Sequence, residues 1–248
     1  MSKLTNEIYQ KYAHSLGPEQ IASPKALRII ENFMDKFIKE LGFDANNNME
    51  PNVYTNSLQN YKGSEAGGAV VEIGAGIGTV TDLISTKISN LVPKIPLVCY
   101  EVNDFCIEQL NKNVSFKFIL IKHVKEIYSC NLGKRKTFLI IDEYITESET
   151  KMLLDEINPR YIIIEGHRFR QRMAVVKNLL GKSIRIRFFG NSLDSVKGAC
   201  VISVWGESRN FLSYLAFFRL NIQSTLFARK ILQAIGIRKR KFLSFFLG

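Results

Sequence analysis

The residues best suited to chemistry gather first at Glu72-Ile73-Gly74-Ala75-Gly76-Ile77-Gly78-Thr79. An apolar run ends in a carboxylate, and three glycines follow at alternate positions. Glycine lets the backbone turn sharply and lets a ligand lie against main-chain N–H groups where a side chain would intrude. The helical pattern opening at Thr79 adds the unpaired N–H donors of a helix N-terminus at the same place. Such a loop suits a nucleotide-like ligand. The Gly-x-Gly-x-x-Gly fingerprint of dinucleotide sites does not fit, because Thr79 stands where its third glycine would be.

Three further apolar runs end in an acid: residues 97–100 in Glu101, 138–141 in Asp142, and 161–164 in Glu165. Glu101 stands 29 residues after Glu72. In nucleotide-binding α/β folds an acidic side chain near this distance accepts hydrogen bonds from ribose hydroxyls. Buried parallel strands explain the runs, and ligands of such sheets bind at the strands' carboxyl ends.

The elements that must hold these groups follow from periodicity. Strands are expected at 69–73, 97–101, 116–121, 137–142, 160–165, 184–189 and 198–205, with helices near 79–90, 103–112, 146–156 and 168–180. The alternation is that of a parallel α/β sheet. Only residues 190–198 join the last two strands, too few for a helical crossover, so an antiparallel hairpin is expected there. Two helices precede the sheet. Ser23-Pro24 supplies an N-cap and a first-turn proline, and apolar residues from Ala26 to Leu41 recur at helical spacing until Gly42.

The pattern Glu72-x-Gly74-x-Gly76-x-Gly78, with Glu101 ending the next strand, resembles the class I S-adenosylmethionine-dependent methyltransferases over residues 69 to about 206. The resemblance implies a Rossmann-like, doubly wound α/β sheet of seven strands ending in an antiparallel hairpin. It implies S-adenosyl-L-methionine as cofactor, with Glu72, Gly74, Ala75, Gly76 and Gly78 along the methionine-side loop and Glu101 and Val102 at the ribose. It divides the chain into an N-terminal helical extension or lid (1–68), a methyltransferase domain (69–207) and a C-terminal tail (208–248). After the third strand the family often has an Asp contacting the adenine amino group. This chain reads Ile121-Lys122-His123-Val124 there.

Methyl transfer to a hydroxyl needs an aligned acceptor and a group to take its proton. Asp142-Glu143-Tyr144-Ile145 occupies the family's substrate-facing position, without the Asn/Asp-Pro-Pro-Tyr or Asn-x-Pro-Tyr of nucleobase amine methylators. Asp142 and His167 are the catalytic candidates, His167 because imidazole titrates near neutrality; a loop-capping role suits His167 equally. Arg168, Arg170 and Arg172 could hold a substrate anion or form a solvated helix face. Asn191, Asp194 and Lys197 are substrate-contact candidates on the hairpin loop.

Of the net charge of +11, eight units lie in residues 209–248, which hold eight Lys and Arg and no Asp or Glu. That tail mixes Arg219, Lys230 and Arg238 to Lys241 with Phe211, Phe217, Phe218, Phe227, Phe242 and Phe245. Its pattern suits a basic amphipathic helix at an anionic membrane surface. A helix packed on the domain and an RNA-binding tail are the other readings. No metal site is expected from the four cysteines, which lack Cys-x-x-Cys spacing, and a cytoplasmic location, peripheral at the membrane's inner face, is expected.

The leading functional expectation is methyl transfer to a small-molecule, glycan-precursor or lipid-linked acceptor, by O-methylation near the membrane. The alternatives are an RNA methyltransferase, since the Glu72–Thr79 motif also resembles rRNA adenine dimethyltransferases, and a degenerate cofactor-binding scaffold.

Overall fold

The computed structural model describes residues 2–18, 21–43, 67–91, 94–133, 135–166, 168–189 and 199–207. Two helices open the chain, α1 (Lys3–Ala13) and α2 (Pro24–Glu40). Each begins at a serine whose hydroxyl accepts a first-turn N–H: Ser2 from Thr5 at 3.0 Å and Ser23 from Ala26 at 3.2 Å. Helix α2 stops because Gly42 adopts φ +88°. The Gly42 N–H then donates to Lys39 O and the Phe43 N–H to Ile38 O, satisfying carbonyls the helix would leave open.

The remaining elements alternate as the periodicity predicts: β1 (Gly68–Ile73), α3 (Thr79–Ile88), β2 (Leu97–Tyr100), α4 (Asp104–Asn113), β3 (Ile119–Ile121), β4 (Lys136–Ile141), α5 (Glu147–Glu156), β5 (Asn158–Glu165), α6 (Phe169–Asn178), β6 (Lys182–Phe189) and β7 (Ala199–Glu207). Between β3 and β4 the chain forms a 3-10 helix over Val124–Cys130, which periodicity did not reveal. Strand β3 is three residues long, shorter than the expected 116–121.

The seven strands form one sheet in the order β3-β2-β1-β4-β5-β7-β6. Strands β1 to β5 run parallel, while β7 lies antiparallel between β5 and β6. The expected hairpin is therefore present, with its second strand inserted next to β5. Central strand β1 is buried along its whole length, as a parallel strand covered on both faces must be.

Side chains on the two sheet faces fall into two apolar layers. One face carries Val70, Cys99, Phe138, Ile140, Ile163 and Val201 and packs under α1 to α4. The other carries Val71, Ile73, Leu139, Ile141 and Ile162 and packs under α5, α6 and the 3-10 helix. Helices α1 and α2 are thus part of the sheet's own core. Phe37 of α2 lies 5.6 Å from the Phe138 ring, and Phe33 lies 5.6 Å from Tyr161 and 5.9 Å from Phe189. Phe37 is fully buried, so its truncation to Ala is expected to cost about 3–5 kcal/mol. At the far end of α2, Glu40 accepts from both Arg160 and Tyr161. Burial and that carboxylate push the Tyr161 hydroxyl up to about 12.

Candidate functional site at the carboxyl edge

Register brings the acids together. Ile73 pairs with Tyr100 on one side and Ile141 on the other, and Ile141 pairs with Ile164. One step further along each strand stand Gly74, Glu101, Asp142 and Glu165, level with one another at the carboxyl edge. The order of strands reverses at β1 and β4, which is where open α/β sheets bind ligands.

The glycine loop is built against its neighbours. Gly74, Gly76 and Gly78 have φ of +83°, +55° and +100°, which L side chains rarely adopt. A Cβ on Gly74 would lie 2.6 Å from Glu143 Cβ and 2.9 Å from its backbone N. A Cβ on Gly78 would meet Val114 at 2.8 Å, Leu110 at 3.0 Å and the Tyr12 hydroxyl at 3.3 Å. The loop is therefore clamped between the start of the Asp142 segment on one side and helices α1 and α4 on the other. Gly74 and Ala75 both donate to Tyr100 O, at 2.9 and 3.1 Å.

Glu101 closes this arrangement. One carboxylate oxygen accepts from the N–H groups of Val102 and Asn103, both at 2.9 Å. The other accepts from Gly76 N–H at 2.7 Å. Three backbone donors hold the carboxylate at the loop, with the 47% exposed Val102 beside it. Asn103 then caps α4 by accepting from Cys106 N–H at 3.1 Å.

Glu72 lies elsewhere. It is the penultimate residue of β1, 1% exposed, and its side chain accepts from Thr81 Oγ1 at 2.7 Å with the Cys99 thiol at 3.8 Å. Burial, with the Asp142 and Glu101 charges adding to it, pushes its carboxyl up to about 8. Glu72 therefore holds its proton near neutrality and ties β1 to α3 beneath the loop.

Asp142 accepts from Arg168 at 3.1 Å, joining the ends of β4 and β5. Its neighbour Glu143 has one buried oxygen with no hydrogen-bond partner. Burial raises the Glu143 carboxyl, with Glu101 and Asp142 adding to the effect and Arg168 opposing it. Tyr144 is 55% exposed beside them. Glu165 is buried and accepts from Ser23 N–H at the start of α2. His167 lies outside the described residues, as do Asn191, Asp194, Lys197 and the tail.

The three arginines after β5 have different surroundings. Arg168 faces Asp142, Arg170 is exposed, and Arg172 is largely buried with its guanidinium donating to Gly166 O. Burial lowers the Arg172 pKa. Of the three, Arg168 is the one paired with Asp142 at the carboxyl edge. Lys122, where an adenine-binding acid would stand in the family, instead pairs with Asp104 at 3.1 Å. Sequence reasoning also missed Phe105. The turn after α1 sets Gly17 against its ring, where a Cβ would come within 2.8 Å, so this turn packs on the first turn of α4.

No known family profile and no curated protein matches the sequence. Solved structures similar to it include a Podospora anserina methyltransferase bound to SAH, at 11% identity over 83% of this chain and 89% of that one, TM-score 0.47. An rRNA methylase from Streptococcus thermophilus matches at 11% identity over 57% and 88%, TM-score 0.42. A precorrin-6y C5,15-methyltransferase from Geobacter metallireducens matches at 14% identity over 66% and 93%, TM-score 0.40. The order β3-β2-β1-β4-β5-β7-β6, with its antiparallel strand next to the edge, is a seven-stranded Rossmann-like sheet, as the sequence leads one to expect.

Proposed function

We propose that this chain is an S-adenosylmethionine-dependent methyltransferase. The observation that carries the reading is the meeting of the glycine loop with Glu101: three positive-φ glycines, of which Gly74 and Gly78 are packed too closely for side chains, beside the carboxylate that follows the neighbouring strand. These residues fit the cofactor. The Gly74–Gly78 backbone would take its methionine end, Glu101 its ribose hydroxyls, and exposed Val102 would flank its base. When bound, S-adenosylmethionine supplies a methyl group on a sulfonium, open to in-line displacement.

The chain's own task is to align the acceptor, exclude water and remove a proton. Asp142, held by Arg168 at the carboxyl edge, and His167, two residues past the end of β5, are the groups proposed for it. The acceptor is proposed to be a small-molecule, glycan-precursor or lipid-linked hydroxyl at the cytoplasmic face of a membrane. Two features support this. The segment after β4 lacks the prolines that grip a nucleobase amine, and the tail combines eight cations with large apolar residues. Among the described residues no helix is long and apolar enough to cross a membrane.

Isothermal titration with S-adenosylhomocysteine tests the cofactor assignment. A saturable isotherm is expected, lost in Gly76→Val, with NAD giving none. Equal binding of NAD, or no binding of either, overturns the reading. A labelled-methyl screen of lipid, glycan and RNA fractions then tests the acceptor class; incorporation confined to RNA would move the assignment to RNA methylation.

A further inference from the structure

Strand β6 is the edge of the sheet, and its register with β7 sets Arg185 opposite Ser203 and Arg187 opposite Val201. Val201 belongs to the layer under α2, so both arginines project from that face, beyond the helix. Phe189, two residues on, touches Phe33 of α2, and Lys36 lies 4.6 Å over the Phe33 ring. Trp205, two residues past Ser203, emerges on the same face and is 49% exposed. Arg160 stacks over its ring at 5.4 Å.

This face is basic and aromatic. Its acid, Glu40, is taken up by Arg160 and Tyr161. Lys36, Arg185 and Arg187 are exposed, and among the described residues none of them has a carboxylate within ion-pair distance. Cations on an edge strand also deter pairing with another sheet. That role needs neither an exposed tryptophan nor a lysine on α2. Four residues past Trp205 begins the stretch that holds eight Lys and Arg and no acid. That stretch follows β7 directly in the sequence.

We propose that this face of the folded domain is itself a contact surface for an anionic membrane. Arg185, Arg187 and Lys36 meet lipid headgroups, and Trp205 takes the interfacial position that suits an apolar ring with one polar N–H. A membrane is favoured over RNA because the adjoining tail carries more large apolar side chains than phosphate binding requires. The strip also has a useful direction. Strand β6 runs from Lys182, opposite Glu207, to Phe189, opposite Ala199, and Ala199 pairs with Glu165 at the carboxyl edge. A bilayer along β6 lies beside the candidate site without covering it, as a lipid-linked acceptor requires. The proposal rests on the membrane part of the functional reading and not on methyl transfer.

Trp205 is the only tryptophan in the chain, so its emission reports on this face. Full-length protein titrated with phosphatidylglycerol-containing vesicles should show a blue shift of Trp205 emission, and brominated lipids should quench it. Pure phosphatidylcholine vesicles should do neither. A basic residue near such a surface gives about a fivefold gain in partitioning. Arg185→Gln with Arg187→Gln should therefore weaken it roughly 25-fold, and Lys36→Gln alone about fivefold, with S-adenosylhomocysteine binding unchanged. Should the double variant fail to fold, Lys36→Gln and the wild-type emission decide. Pelleting without any change in Trp205 emission, wild-type partitioning of the variants, or an emission response to structured RNA but not to vesicles would overturn the proposal. Loss of S-adenosylhomocysteine binding would instead bear on the cofactor reading.

Discussion

Gly76 donates its N–H to Glu101 across 2.7 Å, joining the loop that follows β1 to the acid that follows β2. One short contact makes the glycine-loop backbone and the Glu101 carboxylate a single unit. The carboxylate is preorganised by Val102 and Asn103 on its other oxygen, so it need not be ordered when a ligand arrives.

Glu101→Gln keeps the size of the side chain and turns one acceptor into a donor. It cannot accept from Gly76 and from Val102 and Asn103 at once. Hydrogen bonds to charged groups are worth about 1.5–3 kcal/mol, so S-adenosylhomocysteine affinity should fall about 10- to 150-fold by titration calorimetry. An unchanged Kd would remove Glu101 from the binding site.

Gly74→Ala should be costly for two reasons that a control can separate. At φ +83° any side chain is strained, and the new Cβ would lie 2.6 Å from Glu143 Cβ. Gly133 also has a positive φ, +55°, but nothing lies within 4 Å of its Cβ position. Gly133→Ala should cost about 1 kcal/mol, from backbone strain alone. Gly74→Ala should cost more and also weaken cofactor binding. Equal denaturation midpoints for the two variants would show that the packing against Glu143 is without consequence.

Glu72 sets a pH dependence of stability. Its folded-state pKa, about 8, lies above the ordinary 4.5, so the native state holds a proton that the unfolded chain releases between those values. The contribution is fully present below about pH 4.5, declines as pH rises, and is exhausted above about pH 8. Glu72→Gln, neutral at every pH, should flatten that decline. Urea melts at pH 5 and pH 8 should show a smaller difference for the variant than for the wild type; an identical difference would refute the assignment.

Catalysis is expected to depend on Asp142 and His167 but cofactor binding is not. Asp142→Asn and His167→Ala should leave S-adenosylhomocysteine affinity near wild type. Whichever group takes the proton should lower turnover about 10²–10⁴-fold when lost. Arg168→Gln, which removes the guanidinium that pairs with Asp142, should lower kcat through misplacement while leaving the loop intact. Full turnover of His167→Ala from pH 6 to 8 would make its role structural.

Much of this molecule is legible without coordinates, because its signals are local. Continuous apolar runs ending in acids mark the parallel strands, a nine-residue connection marks the hairpin, and Ser23-Pro24 marks the start of α2, since each depends on neighbouring residues alone. The glycine loop is legible too, because its backbone angles are ones that L side chains rarely adopt. What the sequence cannot express is which way a side chain at a strand end points and what it meets there. Those depend on register between distant strands. Glu72 and Glu101 read alike as acids closing apolar runs. Yet Glu72 lies one residue inside its strand, buried and protonated under α3, while Glu101 lies just beyond its strand and gathers three backbone donors. The Asp142–Arg168 pair and the stacking of Arg160 on Trp205 join residues 26 and 45 positions apart. Helix α2 reads as an extension by position, and only the closing of Phe33 and Phe37 over the rings of β4, β5 and β6 makes it a layer of the core. Sequence periodicity determined the elements; packing of those elements decided which acids stand at the glycine loop and which are buried to hold the fold.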